Sequence, residues 1–501
     1  MSEKPSGGYN FVRGLSRFLL GVFYERIEVI GEGNVPSDGP LVVAANHHNS
    51  LVDAMLLMTT FRRPLRVLAN APLFRHPLIG PFLRLVGGLP VHRRQEAGHD
   101  PEKNAALFAA TTDALREGHA IALFPEGRTQ PEPALQTVRT GAARMVLAAE
   151  AAGARGVTLL PVGLVYDEPG TFRSGRALVL VGSPVETAGL ADRSAPSPLP
   201  AARFREARPS AAARAETRRG ETPRVPPSPP QTGAREEERT ASFAERGAAA
   251  RALTDRLTEA LRALIVETDD RQTLRLLKLV EELWRNRDDA PPLPEDMRVL
   301  WLQSAARAHR TLLQRAPDRV AAFRRRLEAY DAECDRAGLS AEQLSRRYTA
   351  MNVARFTVSE GVSLLFGLPL ALVGLVVHGL PYRLTAIAVR LIPHTDEEEA
   401  TDKIVVGLVF FPLCWIAEGW ALYAIFGRMA LIAFLIAVPL TAFPALAWYE
   451  RLRNVKTEAA AFWRFLFDRD LLRRLRKERR ELAEELQAFA ALADSGSGVP
   501  A

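Results

Sequence analysis

Two apolar stretches limit what this chain can become. Ile404 to Phe426 and Met429 to Trp448 are separated only by Gly427 and Arg428, and each is about the length a helix needs to cross the hydrocarbon core of a bilayer. In lipid every backbone polar group has to find its partner inside the segment, so the pair reads as a transmembrane helical hairpin. Glu418 is the one formal charge inside the first stretch. It belongs either in the hairpin interface or against a polar cavity, and a carboxylate at that depth is a functional candidate by default. A third segment, Val358 to Val377, is apolar but interrupted by Glu360, Gly361, Gly367, Pro369 and Gly374, which reads as a re-entrant or interfacial piece. Beyond Trp448 the chain is densely basic, with Arg451, Arg453, Lys456, Arg473, Arg474, Arg476, Lys477, Arg479 and Arg480. Charge of that sign next to a span predicts a cytoplasmic tail, and with the N-terminal domain, which carries the candidate site, also expected in the cytoplasm, an even number of crossings.

The rest of the chain divides by composition. Residues 1–26 lack a signal-peptide pattern, because the apolar stretch is short and broken by Arg13 and Arg17. Phe11, Leu15, Phe18, Leu19, Val22 and Phe23 share a helical face, which fits an amphipathic membrane-interface helix and a core-facing helix equally well. Residues 27–188 alternate short apolar runs with helical periods: Leu41–Ala45, Leu65–Ala69, Ala120–Phe124, Val157–Val165 and Arg176–Val181 as strands, Asn104–Glu117 and Arg139–Ala152 as helices. That order predicts an α/β domain with a mixed, largely parallel sheet flanked by helices, and chemistry in the loops at strand ends. Residues 189–248 are rich in Pro, Arg, Ala, Ser and Glu and poor in large apolar residues, the composition of a disordered linker. Residues 249–350 read as a helical accessory region, 351–450 as the membrane region with its hairpin, and 451–501 as a basic C-terminal helix and tail.

The formal charge of +7 suits an anionic membrane surface or phosphorylated substrates. Nucleic acid is not expected as a partner. The two cysteines, Cys334 and Cys414, form neither a disulfide framework nor a metal-ligand pattern, and they point to a reducing compartment.

The loop after the first buried strand carries the chemistry. In LVVAANHHNSLVDAMLL an apolar strand ends at Asn46-His47-His48-Asn49-Ser50 and a helix follows. Four residues separate His48 from Asp53, so one helical turn can bring the carboxylate back to the imidazole. A carboxylate there fixes the tautomer and stabilises the imidazolium, as a general base needs. Counting from Asp53 selects His48; counting from Asn46 selects His47, the second choice. Further loops add GGLPVHRR, with Arg93 and Arg94 suited to paired hydrogen bonds with a phosphate. FPEGRT adds Glu126, Gly127 and Arg128, and there the glutamate either orients a substrate hydroxyl or holds the loop through backbone N–H groups. VTLLPV puts Pro161 in a buried strand, which marks an edge or an irregular site. Arg139 and Arg144 are additional cations within reach of such a site.

The order NHHNSLVD, GGLPVHRR, FPEGRT, VTLLPV resembles the four-block signature of the glycerolipid acyltransferases, the glycerol-3-phosphate and 1-acylglycerol-3-phosphate acyltransferases. The resemblance implies an α/β acyltransferase domain and a catalytic pair of His48 and Asp53, completed by Glu126. It also implies an acceptor-phosphate site at Arg93, Gly127 and Arg128, and a pocket shaped by Pro161. It further implies an acyl-CoA or acyl-ACP donor, a glycerol phosphate acceptor, contact with membrane lipids, and no metal or cofactor. Two other readings of the same residues stand beside it: a metal-dependent hydrolase using His47, His48 and Asp53, and a non-catalytic membrane scaffold that keeps the fold.

Overall fold

The fold is that of a computed structural model. It describes residues 5–92, 101–130, 134–166, 170–173, 175–187, 232–268, 270–285, 297–339, 343–344, 350–392, 395 and 398–494. Seven strands form one sheet: β1 (Arg26–Ile30), β2 (Leu41–Ala45), β3 (Leu65–Asn70), β4 (Leu89–Val91), β5 (Ala120–Leu123), β6 (Thr158–Tyr166) and β7 (Arg176–Val181), in the order β1-β7-β6-β2-β5-β3-β4. β6, β2, β5, β3 and β4 run parallel; β7 is antiparallel to β6, and β1 pairs only with β7. The expectation of a mixed, largely parallel sheet holds.

Both faces of the sheet are covered, so β2 is buried at every residue, as the centre of a parallel sheet has to be. Leu41, Val43 and Ala45 face a cluster containing Leu20 and Phe23 of α1 (Gly7–Phe23) and Val52, Met55 and Leu56 of α2 (Ser50–Thr60). Val42 and Ala44 face α4 (Pro101–Arg116) and α5 (Gly141–Ala151), through Leu115 and Val146; α3 (Ile79–Leu85) lies between β3 and β4 in sequence. A further helix on that second face, α6 (Thr232–Arg262), was not expected where it begins. Its Leu253, Leu257 and Leu261 are fully buried against the sheet layer. Residues 232–248, the end of the expected linker, are helical, and the rest of it, 189–231, lies outside the described residues.

α1 buries Tyr9, Val12, Ser16, Leu20 and Phe23 in the core. Phe11 and Phe18 stay 61% and 51% exposed on its other side. The face inferred from periodicity was therefore rotated, and Phe18 instead meets Phe443 of the membrane helices edge to face, with ring centroids 5.8 Å apart.

α7 (Arg271–Arg285), α8 (Arg298–Arg315) and α9 (Pro317–Ala337) form the accessory bundle. The C-terminal helix α13 (Arg469–Asp494) closes it by packing Leu475, Leu482 and Phe489 against Phe323 and Leu327. Arg326 adds contacts to Glu478, Glu481 and Glu485 at 2.8–3.1 Å. The apolar face of this basic helix is thus built into a core.

Among the described residues three helices are long and apolar enough to cross a membrane, with candidate spans Val358–Leu391, Glu399–Phe426 and Arg428–Ala459. They lie in α10 (Ala350–Leu391), α11 (Glu399–Phe426) and α12 (Arg428–Phe467), and α11 and α12 meet at Gly427. α10 is helical throughout, although its glycines and prolines had read as breakers. Gly367 and Gly374 mark close packing instead. A Cβ on Gly367 would lie 2.8 Å from the Trp448 ring, and one on Gly374 would collide with Ala445 of α12.

The contacts of α10 reverse along its length. Glu360 pairs with Arg451 at 3.1 Å, Trp448 Nε1 donates to Leu364 O at 2.8 Å, and His378 Nε2 lies 3.1 Å from Thr441 Oγ1, so the helix first advances toward the Gly427 turn. Trp415 Nε1 then donates to Val377 O at 3.2 Å, whereas Thr385 lies beside Gly407, nearer the start of α11. Gly379 and Pro381, residues that permit a bend, sit at the turning point. The Tyr382 ring reaches back to Phe172 of the α/β domain at 5.8 Å.

Candidate active site

Asn46 ends β2 by extending its ladder with a side chain. Its Nδ2 donates to Leu164 O at 2.8 Å, and Leu164 N donates to its Oδ1 at 2.6 Å. Held there with no exposed surface, it fixes where the main chain leaves the sheet, and His47 is the next residue.

The structure brings His47, not His48, to Asp53. His47 Nδ1 lies 2.8 Å from Asp53 Oδ2, with side-chain exposures of 13% and 0%. His48 turns the other way, and its Nδ1 lies 3.2 Å from Gln130 O. The spacing argument failed because the loop is not a plain turn into a helix. Ser50 sits at φ +42°, a left-handed conformation that side chains adopt at a cost of about 1–2 kcal/mol. With Asn49 also outside the helical region, the chain between His47 and Asp53 does not follow a plain helical turn. No glycine or asparagine marks position 50, so the sequence carries no sign of it.

Asp53 is held by three donors. Besides His47, Asn49 N donates to its Oδ2 at 2.8 Å, and the Tyr166 hydroxyl makes a short hydrogen bond to its Oδ1. Burial and the adjacent Asp53 charge push the Tyr166 phenol well above its ordinary range, so it stays protonated and donates. The Tyr24 hydroxyl accepts from Asn49 Nδ2 at 2.8 Å. The His47 ring stacks on Phe124, with centroids 4.0 Å apart and planes 10° from parallel. Tyr24, Phe124, Gln130 and Tyr166 were not singled out as site residues from sequence, because an aromatic or amide near a strand end carries no spacing signal.

Glu126 holds the loop rather than reaching outward. Its Oε1 accepts from His47 N at 3.0 Å, and its Oε2 accepts from Gln130 Nε2 at 2.9 Å and Gln136 N at 3.3 Å. Gln130 N in turn donates to His47 O at 3.2 Å, so the turn after β5 and the turn after β2 are laced together. Burial pushes the Glu126 carboxyl from 4.5 up to about 7. The folded state therefore binds this proton more tightly than the unfolded chain does. The resulting stability is present at low pH and is lost as pH rises from about 4.5 through about 7. The full swing is at most about 3 kcal/mol. In thermal melts against pH, Glu126→Gln should flatten that decline. An unchanged slope across the interval would remove Glu126 as its source.

Gly127 adopts φ +76°, and the Arg139 guanidinium lies over it, 3.1–3.3 Å from where a Cβ would be. Arg128 is exposed at the same turn. Arg144 lies 5.1 Å over the Phe108 ring on α4. Arg93 and Arg94 lie outside the described residues. Pro161 is not at an edge: β6 is central, between β7 and β2. It sits where the β6–β7 ladder is interrupted between Val181 and Val185, with Gly182 N donating to its carbonyl. Its ring packs toward Gly182, which also meets Leu264. Among the described residues no three His, Cys, Asp or Glu side chains are grouped to hold a metal ion.

A histidine whose Nδ1 is fixed by a buried carboxylate presents Nε2 as a base. Residues 26–165, which contain this histidine, match the family model described as Acyltransferase. The likeness to that family covers this part of the chain. Over 150 residues the chain is 28% identical to a 1-acyl-sn-glycerol-3-phosphate acyltransferase of Borreliella burgdorferi, a match covering 30% of this chain and 54% of that protein. Over 170 residues it is 24% identical to the chloroplastic 1-acyl-sn-glycerol-3-phosphate acyltransferase of Arabidopsis thaliana, covering 32% and 44%. The chain thus spans about half the length of these curated relatives. Among solved structures it is similar to the 1-acyl-sn-glycerophosphate (LPA) acyltransferase PlsC from Thermotoga maritima, at 20% identity and a TM-score of 0.29, covering 36% of this chain and 70% of that one. The matched residues contain His47, Asp53 and Glu126; Tyr166 follows directly after them, and the accessory bundle and the membrane helices lie outside the match.

Proposed function

We propose that the protein is a membrane-bound O-acyltransferase that moves a fatty acyl group from a thioester, acyl-CoA or acyl-ACP, to a hydroxyl of a glycerol phosphate. The observation that carries this reading is the His47–Asp53 pair at 2.8 Å, locked by Tyr166 and Asn49 at the end of β2. His47 Nε2 takes the proton of the acceptor hydroxyl as its oxygen attacks the thioester carbonyl. Asp53 stabilises the imidazolium that forms. Collapse of the tetrahedral intermediate breaks the C–S bond, and the departing thiolate receives the proton from His47. Arg128 and Arg139, on either side of the Gly127 turn, are the described cations suited to the acceptor phosphate. The curated relatives named for 1-acylglycerol phosphate acylation support the acceptor class.

The test offers the purified protein, in lipid nanodiscs, labelled acyl-CoA and acyl-ACP with glycerol-3-phosphate, dihydroxyacetone phosphate and lysophosphatidate. Transfer to at least one acceptor, abolished in His47→Ala, is expected. Transfer to none, or equal transfer by His47→Ala, would overturn the reading.

The same proposal includes a topology of two crossings, α11 and α12, with α10 entering and leaving on the side of the acyltransferase domain. Two observations support it. The first turn of α11 is built into that domain through Lys403 Nζ donating to Gly170 O at 2.8 Å, and Arg173 is paired with Glu450 of α12. The reversing contacts of α10 leave neither of its ends near Gly427. With Cys334 and Cys414 replaced, Arg428→Cys should react with a membrane-impermeant thiol reagent on intact cells. Ser495→Cys should react only after the membrane is opened. Labelling of Ser495→Cys on intact cells would mean three crossings.

A further inference from the structure

α2 carries Asp53 in its first turn, so where that helix begins decides where the carboxylate sits. The residue at its N-cap does not cap it. Asn49 stands at the N-cap but makes no capping bond, and its side-chain amide donates to Tyr24 instead. A first-turn N–H left without an acceptor inside a protein is costly. Here Leu51 N donates to Thr401 Oγ1 at 3.2 Å, across 350 residues of sequence.

Thr401 belongs to the first turn of α11 and is buried, and its neighbours Ala400 and Ile404 lie in the same cluster as Leu56 and Leu160. That turn is anchored independently of the hydrogen bond by Lys403 at Gly170. The acceptor is therefore presented by a rigid support. We infer that Thr401 is a positioning residue: the membrane hairpin supplies, through its hydroxyl, the cap that sets the start of the catalytic helix and so the His47–Asp53 geometry. The inference rests on the acyltransferase reading for its kinetic consequence, although the cap itself does not.

Two measurements on the full-length protein in nanodiscs test it, with Thr401→Val, Thr401→Ala and Thr401→Ser. Hydrogen exchange of the amides of residues 49–53 reads the cap directly. It should quicken about tenfold in the valine and alanine variants and stay near wild type in serine. In acyl transfer, valine and alanine should lower kcat about tenfold with KM for donor and acceptor within twofold, and serine should restore it. Alanine keeps the test alive if valine does not assemble. Unchanged exchange in valine or alanine, or a serine variant as impaired as valine, overturns the inference. A rise in KM without a fall in kcat also overturns it, because a cap on the catalytic helix does not contact substrate. If the wild-type protein transfers no acyl group, the enzymatic reading fails while the exchange comparison still decides whether Thr401 caps α2.

Discussion

His47→Ala is expected to abolish turnover, with a fall of about a thousandfold or more, while His48→Ala should keep activity within about tenfold of wild type. The contrast follows from where the two rings point. His47 has its Nδ1 on Asp53 and its plane on Phe124, so its Nε2 is oriented on both counts. His48 is directed to a backbone carbonyl in the turn after β5, and its loss removes one loop contact. Steady-state rates with the best donor and acceptor pair decide the matter, with circular dichroism and thermal melts showing that both variants fold. The opposite ranking would mean that the loop rearranges when substrate binds and that the geometry of the free protein is not the working one.

Asp53→Asn should lower kcat by about a hundredfold or more, although the side chain keeps its shape. Asp53 offers acceptors only, to His47 Nδ1, Asn49 N and the Tyr166 hydroxyl. An amide has one oxygen for these three donors, and its NH₂ would face a donor wherever it is turned. With the amide nitrogen toward His47, the ring changes tautomer and its Nε2 carries the proton it should be accepting. With the oxygen toward His47, Tyr166 loses its acceptor unless the hydroxyl rotates. Asp53→Asn combined with Tyr166→Phe removes the second conflict and should recover part of the loss if the misplaced donor is its cause. A double variant no better than Asp53→Asn alone would assign the whole effect to the missing negative charge.

The sheet and the location of the site were legible in the sequence because both rest on local pattern. Leu41–Ala45 and Ala120–Leu123 are unbroken apolar runs, and each ends in polar residues that have no place in a core. The choice between His47 and His48 was not legible, since it turns on the backbone of Ser50, a residue type that gives no warning of a left-handed conformation. Composition misled at residues 232–248, where few large apolar residues are needed because the buried face of α6 comes later, at Leu253, Leu257 and Leu261. In α10 the glycines had two meanings, breaking a helix or letting two helices approach, and the second applies at Gly367 and Gly374. Tyr166 and Thr401 reach the site from 113 and 350 residues away, a distance over which periodicity carries no information.

The order of the strands has a consequence for how the chain is made. β1 is among the first elements to leave the ribosome, yet among the described residues its one partner in the sheet is β7, so that pairing waits until Val181 has been synthesised. Contacts of such sequence separation form slowly. The last component comes later still: the acceptor for Leu51 N lies at the start of α11, a segment whose own destination is the bilayer. A nascent chain can therefore close its sheet while the first turn of α2 still lacks Thr401. With Thr401 as the inferred cap, completion of the loop that carries His47 would wait on the arrival of the hairpin.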